Sequence, residues 1–177
     1  MKRPDPIGPG TGGVLPAAMP APVLPLMEAA SFLPPRGTLI GLDLGTKTIG
    51  VAASDPDRRI ATAVETISRT KFTADAARLL HLATERNAAG FVLGLPINMD
   101  GSEGPRAQST RAFARNLAGR TELPIALWDE RLSTAAVERE LIATDTSRRR
   151  RKEVIDQQAA VYILQGALDR LARLASE

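Results

Sequence analysis

The 177-residue chain has no cysteine, a single histidine (His81) and only 3% aromatic residues. Without cysteine there is no disulfide, no thiolate zinc site and no cysteine nucleophile, which agrees with a reducing cytoplasmic setting. One histidine rules out a multi-histidine metal cluster. Any metal would be held mainly by oxygen ligands, which points to Mg2+ or Mn2+. So few aromatics argue against a base-stacking platform, so a nucleic-acid partner would be held mainly through its phosphates. No apolar run is long enough to span a bilayer, and no membrane partner is expected. The Gly-x-x-x-x-Gly-Lys-Ser/Thr phosphate loop is also missing.

What is present suits one folded domain with an appendage. The apolar fraction of 44% is enough for a core. The net charge is +3, but Arg148, Arg149, Arg150, Arg151 and Lys152 are five consecutive cations. Such a block reads as a loop that meets polyanions, or more plainly as a solvated loop. Residues 1–36 hold nine of the thirteen prolines and show no periodicity. They read as a disordered, Pro-rich N-terminal tail. Lys2 and Arg3 before apolar residues suggest a signal peptide, but proline interrupts the apolar stretch every few residues.

From residue 37 to 177 the pattern tightens into one domain. "TLIGLDLG" and "TIGVAASD" form a hairpin about a turn at Thr46 and Lys47, and "IATAVETI" supplies a third strand. A helix follows, with Phe72, Ala76, Leu79, Leu80 and Ala83 inward. "GFVLGLP" and "LPIALWDE" read as buried strands, separated by a helix that turns Phe113 and Leu117 inward. "STAAVERELIA" reads as a further helix, the basic run as a loop, and residues 153–174 as a long final helix. The expected fold is α/β: a mixed five-stranded sheet, with a three-strand antiparallel meander followed by alternating βα units and helices covering it.

Three acidic points stand out. In the first strand Ile40, Leu42 and Leu44 take one face, and Gly41, Asp43 and Gly45 the other. Asp43 is thus flanked on its own face by residues without side chains, which leaves room for a metal ion or phosphate. The plainer alternative is a strand-end aspartate pairing with a turn amide, but a charge inside a central strand is costly unless paired or metal-bound. In "WDER", Glu130 shares a face with Trp128 and Ala126, and Asp129 with Leu127 and Ile125. Alternation does not choose between Asp129 and Glu130 as a ligand, and either one could cap the next helix. Asp156 precedes the stripe Ala159, Ala160, Ile163, Leu164, Ala167, Leu168, Leu171 and Leu174, where a first-turn dipole partner would be unremarkable. Taken together, carboxylates from three elements would repel one another without a cation between them. Two Mg2+ or Mn2+ ions roughly 4 Å apart can activate water and stabilise the leaving oxygen of a phosphodiester, with no cysteine, histidine or serine nucleophile.

The stretches "GLDLGTKTIGVAASD", "VLGLPINMDGSEGPRAQSTRAFARNL", "DERLSTAAVE" and "VIDQQAAVYILQGALD" resemble the YqgF family, also called RuvX, a bacterial branch of the RuvC-like nucleases. The resemblance spans roughly residues 39–168. It implies a ribonuclease H-like fold with helices on both faces of the sheet. It also implies a nuclease that matures the 5′ end of pre-16S rRNA, or alternatively a Holliday junction resolvase acting on branched DNA. The family's acids fall on Asp43, on Glu130 with Asp129 beside it, and on Asp156. On this reading the partner is structured RNA, in or out of a ribosomal pre-particle, and the enzyme is a monomer or a homodimer. Asn98 lies in a turn-rich loop that leads into a helix N-terminus, where a phosphate could sit. Lys47, Arg106, Arg111, Arg131 and the 148–152 run are candidate backbone contacts. Trp128 reads as core, and His81 as inert.

Two other classes compete. "LDLGTKTIGVA" resembles the first phosphate loop of actin-like ATPases and sugar kinases, but those need two domains and far more chain. A non-catalytic nucleic-acid-binding module of the same fold would gain nothing from clustered negative charge facing phosphates.

Overall fold

A computed structural model describes residues 19–132 and 148–177, with side chains in the last helix described from residue 153 onward. Six strands form one mixed sheet in the order β1-β6-β5-β2-β3-β4. β2 (Thr38–Leu44), β3 (Thr48–Ser54) and β4 (Ala61–Ser68) are the antiparallel meander. β5 (Ala88–Leu95) lies parallel to β2, and β6 (Ile125–Asp129) parallel to β5. The turn between β2 and β3 is closed by the Gly45 amide, which donates to the Thr48 carbonyl at 2.8 Å.

Among the described residues, α2 (Phe72–Glu85) and α3 (Pro105–Ala118) cover one face of the sheet. Asp75, in the first turn of α2, accepts from the Thr70 amide and so satisfies a donor just outside the helix. Pro105 opens α3 at its first position, where a missing N–H costs nothing. Ile40, Leu42, Leu93 and Ile125 pack beneath these helices with Leu79, Phe113 and Leu117. The other face is covered by one long helix, α4 (Arg148–Leu174), whose Ala160, Ile163, Leu164, Ala167 and Leu168 meet Leu39, Val92, Ala126 and Trp128. Full burial of each of the larger aliphatic chains contributes about 1.5–3 kcal/mol.

The structure differs from the sequence reading in two places. The Pro-rich stretch is not uniformly without structure. β1 (Val23–Pro25), α1 (Leu26–Ala29) and a 3-10 turn (Ala30–Phe32) fold onto the sheet, so the body begins before residue 37 and has six strands rather than five. β1 pairs parallel with β6 at the sheet edge, where the Ile125 amide donates to the Pro22 carbonyl at 2.9 Å. An edge strand tolerates proline because only one side of its backbone is needed. Leu26 and Ala29 then close over the Trp128 side of the core. The basic run is helical rather than a loop: α4 begins at Arg148. Arginine is a good helix former, and no glycine or proline interrupts residues 148–165, so the final helix extends back through the charges. The helix expected over "STAAVERELIA" falls in 133–147, outside the described residues, as do residues 1–18.

Candidate active site

β2 runs through the centre of the sheet, and all seven of its residues are buried. Asp43 lies in it at 5% exposure. The antiparallel register pairs Asp43 with Gly50 of β3. On the other side Leu42 pairs with Leu93 of β5, so the next residues along, Asp43 and Gly94, are neighbours. Asp43 thus stands between two glycines on adjacent strands, with Thr66 beyond Gly50 and Trp128 beyond Gly94. No side chain crowds the carboxylate from either adjacent strand.

The space above those glycines is used. A Cβ at Gly94 would come within 2.7 Å of the Glu130 Oε1 and within 2.5 Å of Ile163 Cδ1. A Cβ at Gly50 would collide with the carbonyl carbon and oxygen of Asp156. Glu130, in the 3-10 turn (Glu130–Leu132) that ends β6, therefore lies over one flank of Asp43, and Asp156, in the third turn of α4, over the other. All three carboxylates share the α4 face, toward the carboxyl ends of the parallel strands, where α/β sheets gather their sites.

Two bonds hold the first part of α4 to the meander. The Thr66 hydroxyl donates to the Glu153 carbonyl at 3.0 Å. The Thr48 hydroxyl donates to the Asp156 Oδ2 at 2.5 Å. Thr48 was not singled out from the sequence. It lies two residues before Gly50 on the same face of β3, but nothing in the pattern foretold a contact 108 residues away.

Asp129 is turned away from this face. It follows Leu127 in the α2–α3 side of the core, and both of its oxygens are taken by Arg131, with Nη2 to Oδ2 at 2.7 Å and Nε within 3.1 Å of each oxygen. The Arg131 hydrogen bond holds the Asp129 carboxyl below the usual aspartate range, and Asp129 holds the Arg131 guanidinium above its own. Of the "WDER" acids, Glu130 is thus the one placed beside Asp43.

The candidate phosphate contacts divide. Lys47 and Arg106 are exposed, on the β2–β3 turn and the first turn of α3. Arg106 lines a cavity of about 230 Å3 with Gly45, Thr46, Arg69 and Ser109. Arg111 is bound by Glu103, with Nη2 to Oε1 at 2.5 Å, and Arg131 by Asp129. Asn98 closes its own loop: its Nδ2 donates to the Ser102 hydroxyl at 3.0 Å and its carbonyl accepts from Gly101, which takes φ +87°. Residues 148–152 are helical, but their side chains lie outside the description. Trp128 is buried, and exposed His81 pairs with Glu85 at 3.1 Å.

Among the described residues, no three His, Cys, Asp or Glu side chains form a ready-made metal cluster. By donor type, however, Asp43, Glu130 and Asp156 suit a hard, oxygen-ligated cation, and the flanking glycines let Glu130 and Asp156 approach over Asp43.

Comparison with known proteins follows the same outline. A family described as "RuvX: Holliday junction resolvase" matches residues 37–170. A protein of Bradyrhizobium sp. (strain BTAi1 / ATCC BAA-1182), named as a candidate pre-16S rRNA nuclease, is 78% identical over 156 residues, covering 88% of this chain and 97% of its own. A protein of the same name from Rhodopseudomonas palustris (strain TIE-1) is also 78% identical over 156 residues, 88% of this chain and 98% of its own. Among solved structures, the yeast mitochondrial Holliday junction resolvase Ydc2 superposes with a TM-score of 0.50 at 13% identity, over 85% of this chain and 86% of that one. The last likeness is one of fold, the ribonuclease H-like α/β arrangement.

Proposed function

The chain belongs to the RuvX family, and from that premise we propose that it is a metal-dependent nuclease that hydrolyses phosphodiester bonds in the maturation of the 5′ end of pre-16S rRNA. The observation that carries the reading is the row Gly50–Asp43–Gly94 with Glu130 and Asp156 brought over its two ends. A pure binding module has no use for three carboxylates facing a polyphosphate.

In this mechanism Asp43, Glu130 and Asp156 are the residues that would hold Mg2+ or Mn2+, which would supply water activation and stabilisation of the leaving oxygen. The chain's own residues do the rest. Asp43 sits in low-dielectric surroundings, where its charge acts strongly on whatever approaches. Gly50 and Gly94 let the Asp156 backbone and the Glu130 side chain close in over the sheet on either side of Asp43. Lys47 on the β2–β3 turn and Arg106 in the first turn of α3 are exposed, so they are free to hold phosphates of the same strand away from the cut and fix its register. Arg131 acts through Asp129: their two-pronged pairing fixes the turn that carries Glu130. His81 has no part in proton transfer, being on α2 and paired with Glu85.

The choice of RNA is supported by the name shared by relatives at 74–78% identity, and on this reading the protein works on structured RNA, free or in a ribosomal pre-particle, in the cytoplasm. Among the described residues no helix is long and apolar enough to cross a membrane. The second reading, resolution of a four-way DNA junction, is favoured by the description of the matching family. A junction has two strands to cut and calls for a two-fold homodimer, whereas a single-strand end suits a monomer.

The test is cleavage of labelled pre-16S rRNA and of a four-way DNA junction side by side, with Mn2+ or Mg2+, by wild type and Asp43→Asn. Precursor cutting that needs both metal and Asp43 is expected. Selective junction cutting promotes the second reading. Cleavage of neither, or full activity in Asp43→Asn, returns the protein to a binding role.

A further inference from the structure

We propose that Thr48 is a positioning residue for Asp156, holding one carboxylate oxygen so that the other is left for the cation; this rests on the metal-site reading above. Thr48 is well anchored for such a task. Its residue pairs with Ser68 of β4, and its carbonyl accepts the Gly45 amide that closes the hairpin. Branching at Cβ restricts its side chain to few rotamers, so a fixed backbone means a fixed hydroxyl. That hydroxyl donates to the Asp156 Oδ2.

The surroundings favour the bond. A Cβ at Gly45 would approach the Thr48 carbonyl to 2.9 Å and its hydroxyl to 3.3 Å, so glycine there keeps the donor uncrowded. Gly50, one step along the same face, lets the Asp156 backbone settle against β3 and brings its side chain within reach of Thr48. Asp156 lies in the third turn of α4, where an aspartate side chain has more than one rotamer open to it, and a hydroxyl that donates to one oxygen selects among them. Groups that orient a metal ligand from behind typically change metal affinity or activity by about 10–100-fold when removed.

Thr48→Val removes the hydroxyl and keeps the shape, and Thr48→Ser restores it. The experiment titrates Mn2+ into wild type, Thr48→Val, Thr48→Ser and Asp43→Asn by electron paramagnetic resonance. Metal-free melting and the kcat and KM of precursor cleavage are measured on the same samples. The expected result is Mn2+ binding weakened about tenfold or more in Thr48→Val and restored in Thr48→Ser. At saturating Mn2+, kcat falls while KM for RNA is unchanged. If Thr48→Val binds Mn2+ as wild type does, the inference is overturned, and a lowered melting point beside normal binding would make Thr48 a staple for α4 only. Tighter binding in Thr48→Val also overturns it, since Thr48 would then be drawing Asp156 away from the site. Asp43→Asn separates the two levels. If it binds Mn2+ like wild type, the metal site itself is misplaced; if it loses Mn2+ and Thr48→Val does not, only Thr48 was misread.

Discussion

Gly94→Ala tests the site without touching any group that carries its chemistry. The added methyl would lie 2.7 Å from the Glu130 Oε1, about 0.7 Å inside the 3.4 Å at which ordinary contact begins, and 2.5 Å from Ile163 Cδ1. Both are the far ends of flexible side chains, so the fold should survive while Glu130 is pushed aside. Overpacking of this kind costs about 1–3 kcal/mol. At this chain length that lowers the melting point by roughly 3–10 °C. A displacement approaching 1 Å in a reacting group is enough to cost on the order of 100-fold in rate. The assay pairs thermal melting with kcat for cleavage of labelled precursor at saturating Mn2+. Glu130→Gln is run beside the glycine variant, together with the double variant. If Gly94→Ala acts by moving Glu130, the double variant should be barely worse than Glu130→Gln, because a displaced group and an absent one are nearly the same loss. Wild-type turnover in Gly94→Ala, with the melting point lowered, would refute the placement of Glu130 in the site.

Gly50→Ala should be the more damaging glycine change, because its methyl meets the Asp156 backbone rather than a side-chain tip and α4 must shift as a body; melting that falls no further than in Gly94→Ala would contradict this. Asp43→Asn should lower cleavage on the order of a thousandfold or more while leaving metal-free melting unchanged or raised, and it should abolish the rise in melting temperature that Mn2+ gives wild type. Asp129 is held below its ordinary range in the fold by Arg131, so its pairing stabilises at neutral pH and is lost as pH falls through the lowered value. Asp129→Asn should therefore flatten the acid limb of melting against pH, and an unchanged limb would show that the pair contributes nothing. Deleting residues 1–35 should destabilise the domain and promote self-association. It removes Leu26 and Ala29 from the core and bares the outer edge of β6, which light scattering and melting would register.

The meander and the βα alternation were legible because strand period and helix period differ plainly in "TLIGLDLG" and "FTADAARLLHLATE". Asp43 was legible for the same reason: a charge between two glycines in a buried strand violates the pattern around it. β1 was not, because three residues that follow Pro22 and end in Pro25 carry no periodicity, and only the free edge of β6 gives them a partner. Alternation placed Asp129 and Glu130 on opposite faces but did not say which face held the site, since that depends on where α4 packs. The helical start of α4 was obscured by reading charge before propensity. Arg111 and Arg131, two of the expected phosphate contacts, are taken by Glu103 and Asp129, ion pairs eight and two residues apart that composition cannot foresee.

The glycines around Asp43 also bear on how the protein can be lost. On the proposed mechanism the groups that act on substrate are three carboxylates, yet Gly41, Gly50 and Gly94 each lie against α4 or a side chain of the candidate site with no room for one more carbon. Any base change in the first two positions of a glycine codon installs a side chain or a stop. The mutational target for inactivation is therefore roughly twice as large as a list of acidic residues suggests. Half of that target would yield chains that keep every catalytic group and still fail, because what they have lost is empty space.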